Sequence, residues 1–140
     1  MADKKEEILL GIDFGETNIG VAFARNGLVA PLRVIPAKHQ DTAVHEIAKI
    51  FHQNKCTKVI VGLPLTQQNK ETAESIKVRQ FVKLLKVYIK VSIEFQNEFL
   101  SSEEALRESI AGGVSKKGRR SIDHYSAALI LKRYIDNNQL

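Results

Sequence analysis

The spacing of apolar residues changes from one segment to the next, and each change marks an element. Ile8 to Asp13 is an apolar run with Lys and Glu before it and Gly15 after it, the pattern of a strand buried on both faces. A second apolar run spans Asn18 to Ala24, and Arg25-Asn26-Gly27 is a strong turn signal before a third at Leu28 to Ile35. From Asp41 to Phe51 the period becomes helical, with Val44, Ile47, Ala48 and Phe51 on one side and Asp41 or Thr42 available as a cap. Lys58 to Leu63 returns to a buried strand, which Pro64 and the polar stretch Thr66 to Lys70 end. A second helix is expected from about Glu71 to Tyr88, with Ile76, Val78, Phe81, Val82, Leu84, Leu85 and Tyr88 giving a broad apolar side.

Val91, Ile93 and Phe95 alternate with Ser92, Glu94 and Gln96, a half-buried strand leading into Asn97-Glu98. Ser101-Ser102-Glu103-Glu104 is a helix start, and that helix is expected to run to about Ile110 and stop at Gly112-Gly113. After a basic loop, Ser121 to Ile135 forms a last helix, with Ile122, Tyr125, Ser126, Leu129, Ile130 and Arg133 as the stripe expected to face the core. Three hairpin-joined strands followed by βαβαβ crossovers predict an α/β fold with a mixed five-stranded sheet flanked by helices.

Composition narrows the class. The 140 residues suffice for one domain, 1–140, with 1–7 expected to be a flexible N-terminal tail. The longest apolar runs fall well short of the roughly 20 residues of a membrane helix, and the start of the chain does not read as a secretory signal, so a cytoplasmic protein with no membrane partner is expected. The single cysteine, Cys56, cannot form an intramolecular disulfide and reads as a residue at a strand entrance. A net charge of +5 favours a polyanionic partner, and Lys116, Lys117, Arg119 and Arg120 concentrate it in one short segment that is either a solvated loop or a phosphate-binding one.

Three acids stand out by placement. Asp13 ends the first strand, Glu98 follows the fifth, and Asp123 opens the last helix. Ligands of open α/β sheets bind at the carboxyl ends of strands, and hard divalent cations take convergent carboxylates that leave room for phosphate oxygens. Each acid also has a plain structural use. Asp13 could bind a tight turn, Glu98 could sit in an exposed loop, and Asp123 could complement a helix dipole.

Gly11-Ile12-Asp13-Phe14-Gly15 with Ile19-Gly20-Val21-Ala22 resembles the opening motif of the YqgF-type, RuvC-like family. Val61-Gly62-Leu63-Pro64-Leu65 is similar to its central strand, Val78-Arg79-Gln80-Phe81 to the helix after it, and Asn97-Glu98-Phe99-Leu100-Ser101-Ser102 to its acidic motif. Ile122-Asp123 with Ala127-Ala128 and Ile130-Leu131 is similar to its final helix, so the resemblance covers about residues 8 to 136 in order. It implies an RNase H-like fold and a metal-dependent nuclease that either matures the 5′ end of the small-subunit ribosomal RNA precursor or resolves Holliday junctions. It also implies Asp13, Glu98 and Asp123 as catalytic carboxylates holding Mg²⁺ or Mn²⁺, and Gly15 and Thr17 as the loop shaping the site. Arg79, Lys116, Lys117, Arg119 and Arg120 would meet nucleic acid, either structured RNA or branched DNA, and the protein would act as a monomer or homodimer. The chain departs from the family pattern at Asn18, usually arginine, at Asn97 and Phe99, usually Asp and Arg, and near Asn69, usually glycine.

Two rival readings follow from the same residues. A non-catalytic nucleic-acid-binding module of this fold would explain Asn97 and Phe99. An ATP-binding protein of the actin-like superfamily would use Gly11 to Asn18 as a phosphate loop, but such proteins need two related domains and this chain has room for one. His39, His45 and His52 lie on or before one helix and read as a solvated face rather than a zinc site, and His124 points about 100° from Asp123 on its helix.

Overall fold

The computed structural model describes residues 6–98 and 116–138, with side chains described from 125 onward in the second segment. Strands β1 (Ile8–Phe14), β2 (Asn18–Arg25) and β3 (Leu28–Pro36) precede helix α1 (Gln40–Gln53). Strand β4 (Lys58–Leu63), helix α2 (Ala73–Tyr88), strand β5 (Ile93–Asn97) and helix α3 (Lys116–Asn138) follow. The sheet order is β3-β2-β1-β4-β5, antiparallel from β3 to β1 and parallel from β1 through β4 to β5. This is the expected mixed five-stranded sheet.

The β2–β3 turn forms because Asn26 and Gly27 hold φ of 53° and 78°, the two left-handed positions of a hairpin turn matched to strand twist. Pro31 is tolerated because β3 lies at the sheet edge, where the register slips after Val21. Helix α1 starts earlier than expected. His39 is its N-cap residue and makes no side-chain cap bond, while Asp41 stands in the first turn, where its charge still suits the dipole. Helix α2 starts later, at Ala73, because Thr72 and Ser75 close a reciprocal capping box. The Thr72 hydroxyl accepts from the Ser75 amide at 3.0 Å, and the Ser75 hydroxyl accepts from the Thr72 amide at 2.7 Å.

Alternation along the strands divides the core. Leu10, Ile12, Ile19, Val21, Val59 and Val61 face α1 and α2, where Val44, Ile47, Phe81 and Leu85 cover them. Leu9, Ala22, Ala24 and Ile60 face α3, against Ala127, Ile130 and Leu131. This second face has a floor of small residues. A methyl group at Gly11 would stand 2.4 Å from Leu131 Cγ, and one at Gly62 would stand 2.5 Å from Ile130 Cδ1. Both strands therefore need glycine where α3 presses on the sheet.

That close approach keeps Ile130 of the expected stripe on the last helix but shifts the rest of it. Ala127, Ile130 and Leu131 are buried, whereas Tyr125 and Leu129 are 66% and 43% exposed. The last helix also begins at Lys116, so the basic segment expected as a loop is its first turns, in keeping with the high helix propensity of Lys and Arg. The helix expected at about 103–110 lies outside the described residues. In the expected N-terminal tail, Glu6 pairs with Arg25 at 3.1 Å and Glu7 with Lys58 at 3.0 Å, and residues 1–5 lie outside the described part. Cys56 is free and buried at the entrance of β4, as expected. Among the described residues, no helix is long and apolar enough to cross a membrane.

Candidate active site

Because β1, β4 and β5 are parallel neighbours, their carboxyl ends meet at one edge of the sheet. Asp13 lies one residue beyond Ile12, which pairs with Val61, and so stands beside Gly62. Glu98 follows Asn97, which pairs with Leu63, and its amide donates to the Leu63 carbonyl at 2.9 Å. Asp13 shares the strand face of Leu9 and Gly11, and Glu98 shares that of Glu94, the face covered by α3. The fold thus brings Asp13 and Glu98 to the same end and the same face, on either side of β4.

Glycine at position 62 makes room for this pair. Its missing methyl group would stand 3.2 Å from Glu98 Cγ. The Glu98 side chain is only 15% exposed, and Arg133 Nη1 donates to Glu98 Oε1 at 2.7 Å. That short charge-assisted bond fixes one carboxylate oxygen and offsets the charge of a largely buried acid. Arg133 is a neighbour of Glu98 that no sequence motif marks. It was legible only as one position of a helical stripe, and its partner lies 35 residues away.

Helix α3 runs against the direction of β4. Tyr134 reaches Lys58 at the start of β4, and Ile130 lies over Gly62 near its end. Earlier residues of α3 therefore lie further toward the carboxyl edge. Position 123 falls two turns before Ile130 on the stripe of Ala127, about 10 Å along the axis. The side chains of Asp123, His124, Lys116, Lys117, Arg119 and Arg120 lie outside the described residues.

The turn after Asp13 is closed by the Gly15 amide, which donates to the Asn18 carbonyl at 3.0 Å. A methyl group on Gly15 would meet that oxygen at 2.7 Å. The Thr17 carbonyl accepts from the Ala37 amide at 2.9 Å and ties the turn to the start of α1. Glu16 pairs with Lys77 of α2, which holds the Glu16 carboxyl below its ordinary range and the Lys77 amine above its own. Arg79 makes a two-pronged contact with Glu71, at 2.7 and 3.0 Å, and its guanidinium lies 5.0 Å from the centre of the Phe95 ring. The fold does not bring Arg79 to the carboxylates' face.

Two of the departures from the family pattern touch each other. Asn97 Nδ2 donates to Asn69 Oδ1 at 2.7 Å, and Asn69 has φ of 62°, a left-handed conformation that glycine also adopts. The bond ties the loop after β4 to the residue before Glu98. Away from the carboxylates, Lys58 Nζ bridges Glu7 at 3.0 Å and Glu94 at 2.9 Å, and the Tyr134 hydroxyl donates to Glu94 at 2.9 Å. These bonds pin α3 to the opposite end of the sheet.

Among the described residues, three metal-binding side chains do not gather at one point. The donors at the carboxyl edge, Asp13 and Glu98, supply only oxygen, which fits a hard cation such as Mg²⁺ or Mn²⁺ rather than zinc.

Residues 7–137 match the family model described as "RuvX: Holliday junction resolvase". Curated relatives include the "Putative pre-16S rRNA nuclease" of Chloroflexus aggregans, 33% identical over 136 residues, with 94% of each chain covered. A protein of the same name from Marinobacter nauticus is 34% identical over 137 residues, with 96% of each covered. In structure, the chain resembles Thermus thermophilus RuvC in complex with a Holliday junction substrate, with a TM-score of 0.57 and 15% identity over 95% of this chain and 97% of that one. It also resembles the fowlpox virus Holliday junction resolvase, with a TM-score of 0.54 and 14% identity over 94% and 99%. The structural likeness is one of fold, and the fold is RNase H-like.

Proposed function

We propose that this chain, which belongs to the RuvX family, is a nuclease that hydrolyses phosphodiesters in structured nucleic acid, with precursor 16S ribosomal RNA as its leading substrate. The observation that carries the reading is the placement of Asp13 and Glu98 at the carboxyl ends of β1 and β5, on the one face that α3 covers. Asp123 is the third carboxylate of this reading, and the helical position of residue 123 toward the same edge supports it.

Asp13 and Glu98, with Asp123, would hold Mg²⁺ or Mn²⁺, which when bound lowers the pKa of water and stabilises the leaving oxygen. Glu98 is oriented for that work by Arg133 and accommodated by Gly62. Gly15 closes the turn behind Asp13 and keeps the strand end fixed. Lys116, Lys117, Arg119 and Arg120 belong to the first turns of α3, and their charge would meet phosphates and make binding salt-dependent. The precursor RNA is preferred over the DNA junction because the full-length relatives at 33–34% identity carry that name.

The test is a cleavage panel of precursor 16S RNA and four-way DNA junctions with Mg²⁺ or Mn²⁺. The wild type is expected to cut the RNA, and an Asp13→Asn variant with unchanged circular dichroism is expected to lose cleavage. Undiminished cutting by that variant removes Asp13 from the chemistry. Salt-sensitive binding with no cutting by the wild type would make the chain a binding module instead.

A further inference from the structure

A cavity of about 310 Å³ lies at the same edge of the sheet as Asp13 but on the opposite face. It is lined by Phe14, Glu16, Ala37, Gln40, Lys77 and Gln80. Phe14 follows Asp13 directly, so alternation sends the two side chains to opposite faces of β1. The Phe14 ring is half-buried and tilted against Phe81 at 4.7 Å between centroids, which holds it in place as an aromatic wall. Gln40, from the first residue of α1, and Gln80, from α2, add two primary amides, each able to donate and accept. Lys77 and Glu16, both exposed, form an ion pair at its rim.

We infer that this cavity is a nucleobase subsite, which takes one unpaired base, adenine by preference, from the strand presented to Asp13. The inference rests on the nuclease reading for its placement but not for its chemistry. An aromatic wall and nearby amides that donate and accept are features that recognise a splayed-out base, through its π-face and through its hydrogen-bonding edge. A glutamine amide matches adenine in two hydrogen bonds. The volume sits at the small end of ligand pockets and admits a single base rather than a base pair. Lys77 can turn from Glu16 to a phosphate at the rim without leaving the surface. The consequence is a preference for substrates with an unpaired nucleotide beside the cleaved bond.

Adenosine monophosphate titrated into the full chain, followed by amide and side-chain NMR shifts, tests the subsite without requiring cleavage. Shifts confined to Phe14, Gln40 and Gln80 are expected, and Gln80→Ala is expected to weaken the interaction at least fivefold. In the cleavage assay, Gln80→Ala should slow cutting of RNA carrying an unpaired adenine at the site about fivefold to tenfold. It should leave cutting of the same RNA with an abasic residue there unchanged. A wild type that cleaves while adenosine monophosphate leaves the cavity unperturbed, or a Gln80→Ala variant that treats both RNAs as the wild type does, overturns the subsite and leaves the nuclease reading standing. Binding in the cavity by a protein that cuts nothing preserves the subsite and removes the nuclease.

Discussion

Replacing Gly11 with alanine inserts a methyl group 2.4 Å from Leu131 Cγ, 2.9 Å from its Cδ1 and 3.0 Å from its Cδ2. The first of these atoms is the branch point of a side chain with no exposed surface, so turning one methyl aside does not relieve the contact and α3 must lift. Overpacking of this kind costs about 1–3 kcal/mol, against about 0.4–1 kcal/mol gained because alanine restricts the unfolded chain. A net loss of up to about 2.5 kcal/mol is expected. Leu131→Ala alone should cost about 2–5 kcal/mol through the cavity it leaves. In that background the clash is gone, and the methyl group at position 11 fills part of the void. Gly11→Ala should then be neutral or stabilising by up to about 1 kcal/mol. Urea unfolding followed by circular dichroism on the four proteins of this cycle measures the coupling. An equal cost for Gly11→Ala in both backgrounds would refute the claim that small residues on the sheet set the height of α3.

Three other perturbations follow from the geometry. Burial pushes the Cys56 thiol up to about 11, so the folded chain keeps a proton that the unfolded chain loses from near pH 9. Stability from this group is whole below pH 9 and declines by up to about 2–3 kcal/mol as the pH rises toward 11. Cys56→Ala should lack that alkaline decline in urea unfolding at pH 8 and 10.5, and identical slopes would contradict the assignment. Tyr134→Phe removes the hydroxyl that donates to Glu94 and should cost about 1 kcal/mol, seen as a Tm lower by about 3–5 °C, with cleavage unchanged. Arg133→Gln takes the guanidinium from Glu98 and should lower metal-free stability by about 1 kcal/mol. Mn²⁺ should then raise the Tm of this variant more than that of the wild type, because the cation replaces a lost positive charge, and equal shifts would argue against Glu98 as a ligand.

The strands, the first two helices and the places of Asp13 and Glu98 on them are legible in the sequence, whereas Asp123, expected to open the last helix, lies about two turns inside it because that helix begins at Lys116. Alternation and helical spacing are local properties, so β1 to β5, the Asn26-Gly27 turn and the first two helices are legible within a residue or two, apart from caps. The His39 start of α1 and the Thr72–Ser75 start of α2 were displaced because capping is chosen among several eligible polar residues by the packing of the whole helix. Asp13 was visible as the end of a strand, and Glu98 as the residue after one.

That Asp13 and Glu98 share an edge and a face is settled by the sheet and not by any local pattern. That follows from β4 lying between β1 and β5 and from the parallel pairing of all three, which depends on contacts between residues far apart in the chain. The same distance hid the pairing of Glu98 with Arg133 and the reason for Gly11 and Gly62. Of the stripe expected on α3, Ile130 is buried while Tyr125 and Leu129 are exposed, for a related reason. Helical periodicity offers several stripes, and the glycine and alanine floor of the sheet selects the one through Ala127, Ile130 and Leu131. Local pattern can say what a residue is built to do, but the height and facing of the element that carries it come from what it packs against.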